Sequence, residues 1–478
     1  MKKVAILSAV MFSMIFISCK KNIDTLNTDT KNPSVVPAGS LFATGLKKLV
    51  DNTTTPNVNV GVFRLLAQQW TETTYTDESN YDLTTRNIPQ NFWNSMYRDV
   101  LKSFAESAKL VPLQDPKYVT PGTIKNQSAI IEIMNVYTFS ILVDTYGNIP
   151  YTQALNIGNV TPKYDDAKTV YFDLLTRLDK AIADIDVNQG GFGGSDLLLN
   201  DNVAGWKAFA NSLKLRMGME IADVDAAKSK STVEAAAPNV IQSNDENIIF
   251  KYLTAPPNTN PVWVNLVQSG RKDFVAANTL VDYMKSTNDP RIPLYFTVDA
   301  NNGYKGGKYG ASNNYGTYSK PSTTITKPDY KSTLLDYAEV EFLLAEAVER
   351  GYVVGGTAAT HYNNAVTASI QDWGGSAADA LVFLAQPSVN YLTAAGTYKQ
   401  KIGMQKWVAL YNRGFEAWTE IRRLDFPKLV APVDAVSGYP NRFTYPVQEQ
   451  NLNITNYTTA ASAIGGDKVE TKLFWDKF

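Results

Sequence analysis

The sequence predicts a mainly α-helical fold, built from stacked helix pairs that carry long irregular loops. Three observations carry that reading. Apolar residues recur at three-then-four spacing in several separate segments, which lines them up along one face of a helix. Asp or Asn precedes some of these segments and Gly or Pro follows others, the residues that cap and stop helices. No series of regularly spaced alternating segments appears, so a membrane β-barrel is not expected.

The chain opens Met1-Lys2-Lys3 and then runs apolar from Val4 to Ile17. A basic start before a short apolar stretch is the layout of a bacterial secretion signal. It falls short of the roughly 20 apolar residues that cross a bilayer. The run closes on Phe16-Ile17-Ser18-Cys19, which resembles a lipobox, so residues 1–18 are expected to be a lipoprotein signal peptide. Cys19 is the only cysteine, and it stands where the lipid would be attached. A single cysteine allows no intrachain disulfide, so folding must rest on core burial. Residues 19–38 are polar, with Asn, Thr and Pro, and read as the lipidated residue and its flexible tether. Removal of the signal takes away two lysines and leaves 43 basic against 46 acidic side chains, a net charge of −3. Such a balance gives no electrostatic reason to expect nucleic acid, whose phosphates are neutralised by Lys and Arg.

Taken in order, the elements justify the helical reading. Ile130–Val143 is apolar nearly all round, the mark of a helix packed on several sides. Tyr171, Leu174, Leu175, Leu178, Ala181, Ile182 and Ile185 make one stripe, with Asp165 or Asp166 as cap. Trp206, Phe209, Leu213, Met217 and Ile221 make a second, capped by Asp201 or Asn202. Leu335, Ala338, Phe342 and Ala345 form a third that ends at Gly351, and Met404, Trp407, Tyr411, Phe415, Trp418 and Ile421 a fourth, stopped by Pro427. Residues 334–350 and 358–373, joined by GYVVGG, together approach the length of one tetratricopeptide repeat. One helical hairpin cannot bury its own apolar face, so stacking on similar pairs is expected. Residues 71–90, 254–275, 299–330, 374–399 and 431–478 read as long irregular stretches, and loops of that length usually carry function.

Ligand chemistry is sought in those loops. A sugar offers apolar C–H faces and a rim of hydroxyls, so a site needs flat aromatic rings beside carboxylates and amides. The segment after Trp70 supplies both in Tyr75, Asp77, Glu78, Asn80 and Tyr81. Trp93 and Tyr97 instead follow helical spacing with Val100 and Leu101, which places them in the core. Trp263, in the Pro-rich PPNTNPVW loop, is a second platform, and Tyr304, Tyr309, Tyr315 and Tyr318 mark a Gly- and Tyr-rich loop over 301–320. Gly306-Gly307-Lys308 lacks the strand, spacing and helix of a phosphate-binding loop. His361 is the only histidine, and nothing around it forms a nucleophile motif. One cysteine and one histidine leave no zinc ligand set. The acidic loops could supply oxygen ligands to calcium, but no D-x-D-x-D-G loop is present and no cofactor is expected.

Several segments, in this order, resemble the SusD/RagB family of outer-membrane lipoproteins. They are SILVDTYGNIPYTQAL (140–155), YDDAKTVYFDLLTRLDKAIADI, AGWKAFANSLKLRMGMEIAD, YAEVEFLLAEA, HYNNAVTASIQDWG, KIGMQKWVALYNRGFEAWTEIRRLDFPKL, NRFTYPVQEQNLN and the closing KVETKLFWDKF. The resemblance implies a single SusD-like helical domain over 39–478, built on tetratricopeptide-like pairs. It also implies a protein on the outer face of the outer membrane of Bacteroidetes-type bacteria. There it would hold a glycan, or sometimes a peptide, for a SusC-like TonB-dependent transporter, without catalysis. Asp144, Tyr146, Gly147, Pro150 and Tyr151 are expected to form a helix end and rigid turn, and Trp407, Trp418, Arg422 and Arg423 to pack and pair ions. Two alternatives stand beside it: a surface glycoside hydrolase with its carboxylate pair hidden among the 46 acids, and an adaptor that binds only the transporter.

Overall fold

In the computed structural model, which describes residues 36–477, the apolar-periodic segments fold as helices. In chain order these are α1 (Ala38–Thr54), α2 (Phe63–Leu66), α3 (Ile88–Asn94), α4 (Lys102–Leu110), α5 (Pro121–Tyr146), α6 (Ala167–Asp184), α7 (Val203–Glu220), α8 (Ala226–Ala236), α9 (Asn278–Ser286), α10 (Tyr337–Glu349), α11 (Ala358–Asp372), α12 (Ala377–Leu384), α13 (Tyr398–Ala409), α14 (Gly414–Leu424), α15 (Val447–Leu452) and α16 (Ile454–Ala463). Residues Ala38–Phe478 form one compact unit. The expected signal peptide, Cys19 and the tether up to residue 35 lie outside the described residues.

Helix pairs are the building unit. α5 packs on α6, α7 on α8, α10 on α11 and α13 on α14, and the pairs join through α6 against α7, α7 against α10 and α10 against α13. Their ends follow the sequence. Asp166 caps α6 by accepting from Thr169 N at 2.9 Å, and Asn202 caps α7 through Gly205 N at 3.0 Å, each satisfying a backbone donor that has no partner within its helix. α5 ends at Gly147, whose φ of +84° suits a residue without Cβ. By length and a hydropathy of 1.2 over its most apolar window α5 could cross a membrane, but 83% of that window is buried inside the fold. It is the core helix that its all-round apolar pattern predicts.

Four expectations need correction. The stripe from Met404 to Ile421 is two helices, because the chain breaks at Asn412, in the left-handed region at φ +67°. Gly414 then runs so close to α2 that a Cβ would sit 2.5 Å from Arg64 N. Leu335 belongs not to a helix but to a short strand, β4 (Ser332–Leu335), paired antiparallel with β2 (Ile248–Phe250). The stretches 374–399 and 431–478 are not wholly irregular, since they hold α12, α15 and α16. Residue 38, which the expected tether includes, already belongs to α1.

Segments far apart in sequence are tied by the residues that carry the resemblance. Trp475 Nε1 donates to Asp144 Oδ1 at 3.0 Å, and Arg422 Nη1 donates to Asp144 O at 2.9 Å. The Arg422 guanidinium lies between the rings of Trp418 and Trp475, 3.4 and 4.9 Å from their centroids. Arg442 donates to Tyr146 O at 2.9 Å and to Asp467 at 2.6 Å. The end of α5, the end of α14 and the chain's last segment thus meet at one buried knot.

A second set of buried charges runs between the stacked pairs. Glu339 of α10 accepts from Arg216 of α7 at 2.6 and 2.8 Å and from Arg413 at 2.6 Å. Glu346, two turns on, accepts from Arg423 of α14 at 2.8 and 2.5 Å and from Arg350 at 2.9 Å. Burial pushes both carboxyls up, but the guanidiniums outweigh it and hold each down at about 2. Removing one partner of a buried pair leaves the other charged and unmatched, at about 3–5 kcal/mol. Glu346→Gln is therefore expected to lower unfolding free energy by about 3 kcal/mol, measured by urea denaturation, while an exposed change such as Glu106→Gln stays within about 0.5 kcal/mol.

Candidate functional site

Strand pairing builds the site. After α2 the chain forms β1 (Trp70–Glu72), antiparallel to β3 (Phe274–Ala276), with Trp70 opposite Ala276 and Glu72 opposite Phe274. The ladder extends past its end, since Thr73 N donates to Asp273 O at 2.9 Å and Thr73 Oγ1 to Lys272 O at 2.7 Å. Residues 271–273 are thereby held beside the 73–86 loop. Between them lies an open cleft of about 270 Å³, lined by Val58, Glu72, Tyr75, Arg86, Arg271 and Asp273.

The cleft combines a flat ring with paired charges. Tyr75 is 64% exposed. Arg86 donates through Nε to Glu78 and through Nη2 to Asp77 at 3.3 Å, and Arg271 donates through Nε to Asp273. At the floor Glu72 is 3% exposed and accepts from Ser79 N at 2.9 Å. Burial raises its carboxyl to about 9, and hydrogen bonding to Glu78 adds to the shift. Glu78 Oε2 is buried with no N–H or hydroxyl donor.

The sequence-predicted residues divide sharply. Tyr75 is exposed in the cleft lining, Asp77 is exposed and does not line the cleft but pairs with Arg86, and Glu78 lies buried as the other partner of Arg86. Trp70 is not a platform: it is 1% exposed, its Nε1 donates to Tyr411 Oη at 3.0 Å, and Arg64 covers its ring at 5.0 Å. Tyr81 and Tyr309 are buried too, Tyr309 donating to Leu65 O at 2.8 Å and Tyr81 meeting Tyr439 edge-on. Asn80 is buried and holds Thr76 O and Gly310 O at 2.9 and 2.8 Å. Tyr304 is half-buried against the cluster around β1 and β3. Tyr315 carries Lys272 and Lys320 over its ring at 5.8 and 5.2 Å, and Tyr318 carries Lys305 at 5.5 Å. Trp263 is half-buried in the helical turn Pro261–Trp263 and does not line the cleft. Trp93 and Tyr97 are core residues as their spacing predicts, with Trp93 edge-on to Tyr146 at 4.9 Å.

Arg86, Arg271 and Asp273 escaped the sequence reading. Their only local signals are a charged triplet, RKD at 271–273, and an arginine in a turn. His361 has both ring nitrogens facing acceptors, Glu341 Oε2 at 2.8 Å and Gly355 O at 3.0 Å, and so clips the GYVVGG turn to α10. Among the described residues no group of three or more His, Cys, Asp or Glu is placed to hold a metal ion.

A family model described as SusD-like, starch-binding and associating with the outer membrane matches residues 30–446. The chain belongs to the SusD-like family. Solved structures of the family agree with the fold. A chitin-binding SusD homolog from Flavobacterium johnsoniae is 25% identical, with a TM-score of 0.77 over 91% of this chain and 98% of its own. A SusD homolog from Bacteroides uniformis is 25% identical, with a TM-score of 0.78 over 92% and 99%. A chitin-binding protein at 24% identity has a TM-score of 0.80 over 92% and 100%, a likeness of fold. No curated protein sequence matches the chain.

In this SusD-like cleft the Glu72 proton is linked to folding. A carboxyl raised from 4.5 to about 9 favours the folded state while protonated. That contribution is full below about 4.5 and is lost as pH rises through about 9. Glu72→Gln keeps a neutral donor toward Glu78 and removes the titration. Its melting temperature between pH 5 and 9 is expected to vary less with pH than the wild type's, as read by calorimetry across that range.

Proposed function

We propose that this SusD-like protein is a cell-surface lipoprotein, anchored through Cys19, that binds a glycan and passes it unchanged to a SusC-like TonB-dependent transporter. One observation supports this most: an exposed ring, Tyr75, stands beside alternating guanidinium and carboxylate groups in an open cleft on a helical frame. Tyrosine offers its face to the C–H side of a pyranose, while Arg86, Arg271, Asp77 and Asp273 offer donors and acceptors to its hydroxyls. The family's description as starch-binding and the chitin-binding relatives point the same way, toward α-glucan or chitin oligosaccharides.

Binding without turnover fits the carboxylates. Hydrolytic pairs stand about 5–5.5 Å or 6.5–9.5 Å apart across the scissile bond. Glu72 instead lies buried beside Glu78, and Glu78 is held by Arg86. Asp77 shares that guanidinium and Asp273 is tied to Arg271, so the acids are engaged in pairs beside the ligand space.

The test is a carbohydrate array followed by calorimetry with malto- and chito-oligosaccharides. Binding of one series is expected, with no reducing sugar released, and Tyr75→Ala should weaken it by about fivefold to tenfold, or about 1–1.4 kcal/mol. Turnover would revive the hydrolase reading. Absence of any glycan binding, with retained affinity for the transporter, would leave the adaptor.

A further inference from the structure

We infer that the cleft is one end of a longer groove, and that a linear oligosaccharide continues from it past the 55–60 segment into a second depression beside α1. This deepens the glycan-binding reading and rests on it. Val58 lines the cleft, while Thr55, Asn57 and Val60 line a separate depression of about 330 Å³. Asn57 and Val58 are consecutive, so the two spaces lie against the same chain segment. The second depression leads into a third, of about 410 Å³, and Lys47, Lys48, Asp51 and Pro257 line both. Spaces of this size match small-molecule sites, which run from about 300 to 1,000 Å³.

The groove has the chemistry of a hydroxyl-rich chain. Asn57 uses its Oδ1 to accept from Asn59, at 3.0 Å from N and 2.9 Å from Nδ2, which leaves its own NH2 to donate. Asn265 donates through Nδ2 to Pro261 O at 2.8 Å, which leaves its Oδ1 to accept. Among the described residues these two groups have no protein partner within hydrogen-bond distance. A free donor and a free acceptor therefore line one depression, each on a side chain already fixed by its other end. Pro257 and Val264 add apolar surface to the same lining. Asp51 is fixed by Lys47 at 2.5 Å and by Tyr252 Oη at 3.0 Å, so its charge is met from within the protein. Apolar ground, oriented neutral hydrogen-bonding groups and an internally matched ion pair suit a polyhydroxylated chain, to which Lys48 adds a further ammonium donor.

The experiment is calorimetry of the full mature protein with malto- and chito-oligosaccharides from disaccharide to octasaccharide. Wild-type affinity is expected to keep rising after the cleft itself is filled. Two groove variants are compared with it: Asn57→Asp with Asn265→Ala, which keeps the acceptor of the 57–59 turn, and Val264→Trp, which fills the depression. Both should weaken the octasaccharide by about tenfold, or about 1.4 kcal/mol, and leave the disaccharide unchanged at an unaltered melting temperature. Tyr75→Ala should weaken every length. A wild-type affinity that stops rising once the cleft is filled, or two folded groove variants that bind the octasaccharide like wild type, overturns the groove and leaves the cleft standing. A wild type that binds neither series at any length overturns the glycan reading and the groove with it.

Discussion

The stacking of the helix pairs depends on two buried carboxylates and the guanidiniums that match them. Glu339 and Glu346 lie on one face of α10; Glu339 is reached by Arg216 of α7 and by Arg413 just before α14, and Glu346 by Arg423 of α14 and by Arg350 at the end of α10 itself. Taking such groups out of water costs several kcal/mol per ion even after relaxation, and their mutual attraction roughly offsets the cost when the geometry is good. Apolar faces alone tolerate sliding by a turn. These pairs do not, because any slip of α10 against α7 or α14 strands a buried charge. Lys406 of α13 shows the same economy: burial lowers its ammonium, while Glu420 at 3.1 Å draws it the other way. What the network contributes is register, and register is what a binding surface spread over several elements requires.

That register reaches the cleft through the junction of α13 and α14. Trp407 Nε1 donates to Ala67 O at 2.9 Å, Gln69 Nε2 to Leu410 O at 3.0 Å, and Trp70 Nε1 to Tyr411 Oη at 3.0 Å. Arg64 adds Nε to Asn412 Oδ1 at 2.9 Å. The segment entering β1 is therefore pinned along its length to the helical frame, and β1 in turn fixes residues 271–273 by pairing. Trp70 is the last anchored aromatic and Tyr75 the first free one. Four residues lie between a ring that holds the scaffold and a ring that faces solvent.

This explains how much was legible in the sequence. Helical stripes could be read because their period is local: Leu174, Leu175 and Leu178 announce their face without knowledge of the rest of the chain. The break at Asn412 could not, since the residues around it keep helical spacing and the cause lies in α2, where Gly414 must approach Arg64. In the site, the mixture of rings and acids at 75–78 was visible from composition. The partners Arg271 and Asp273 were not, because strands of three residues, paired across some 200 positions, leave no periodic trace. Trp70, Tyr81 and Tyr309 show the converse error. An aromatic ring looks the same in sequence whether it stacks on a ligand or fills a core, and only the Tyr411, Tyr439 and Leu65 contacts tell the two apart.

The same distribution of charge bears on how strongly the cleft can hold a ligand. Arg86 faces Asp77 and Glu78, and Arg271 faces Asp273, so every guanidinium in the cleft is balanced within a few ångströms. Such pairs project little field beyond the Debye length of about 8 Å at physiological salt. For the proposed glycan, recognition would rest on short-range hydrogen bonds, each worth about 0.5–1.5 kcal/mol net, and on the face of one tyrosine. A handful of these terms, set against the entropy lost on association, gives affinities nearer micromolar to millimolar than nanomolar. Affinity in that range is gained by adding contacts along a chain rather than by deepening one pocket. Each contact is also small enough to be released in turn, which fits the proposed capture and hand-over of a glycan.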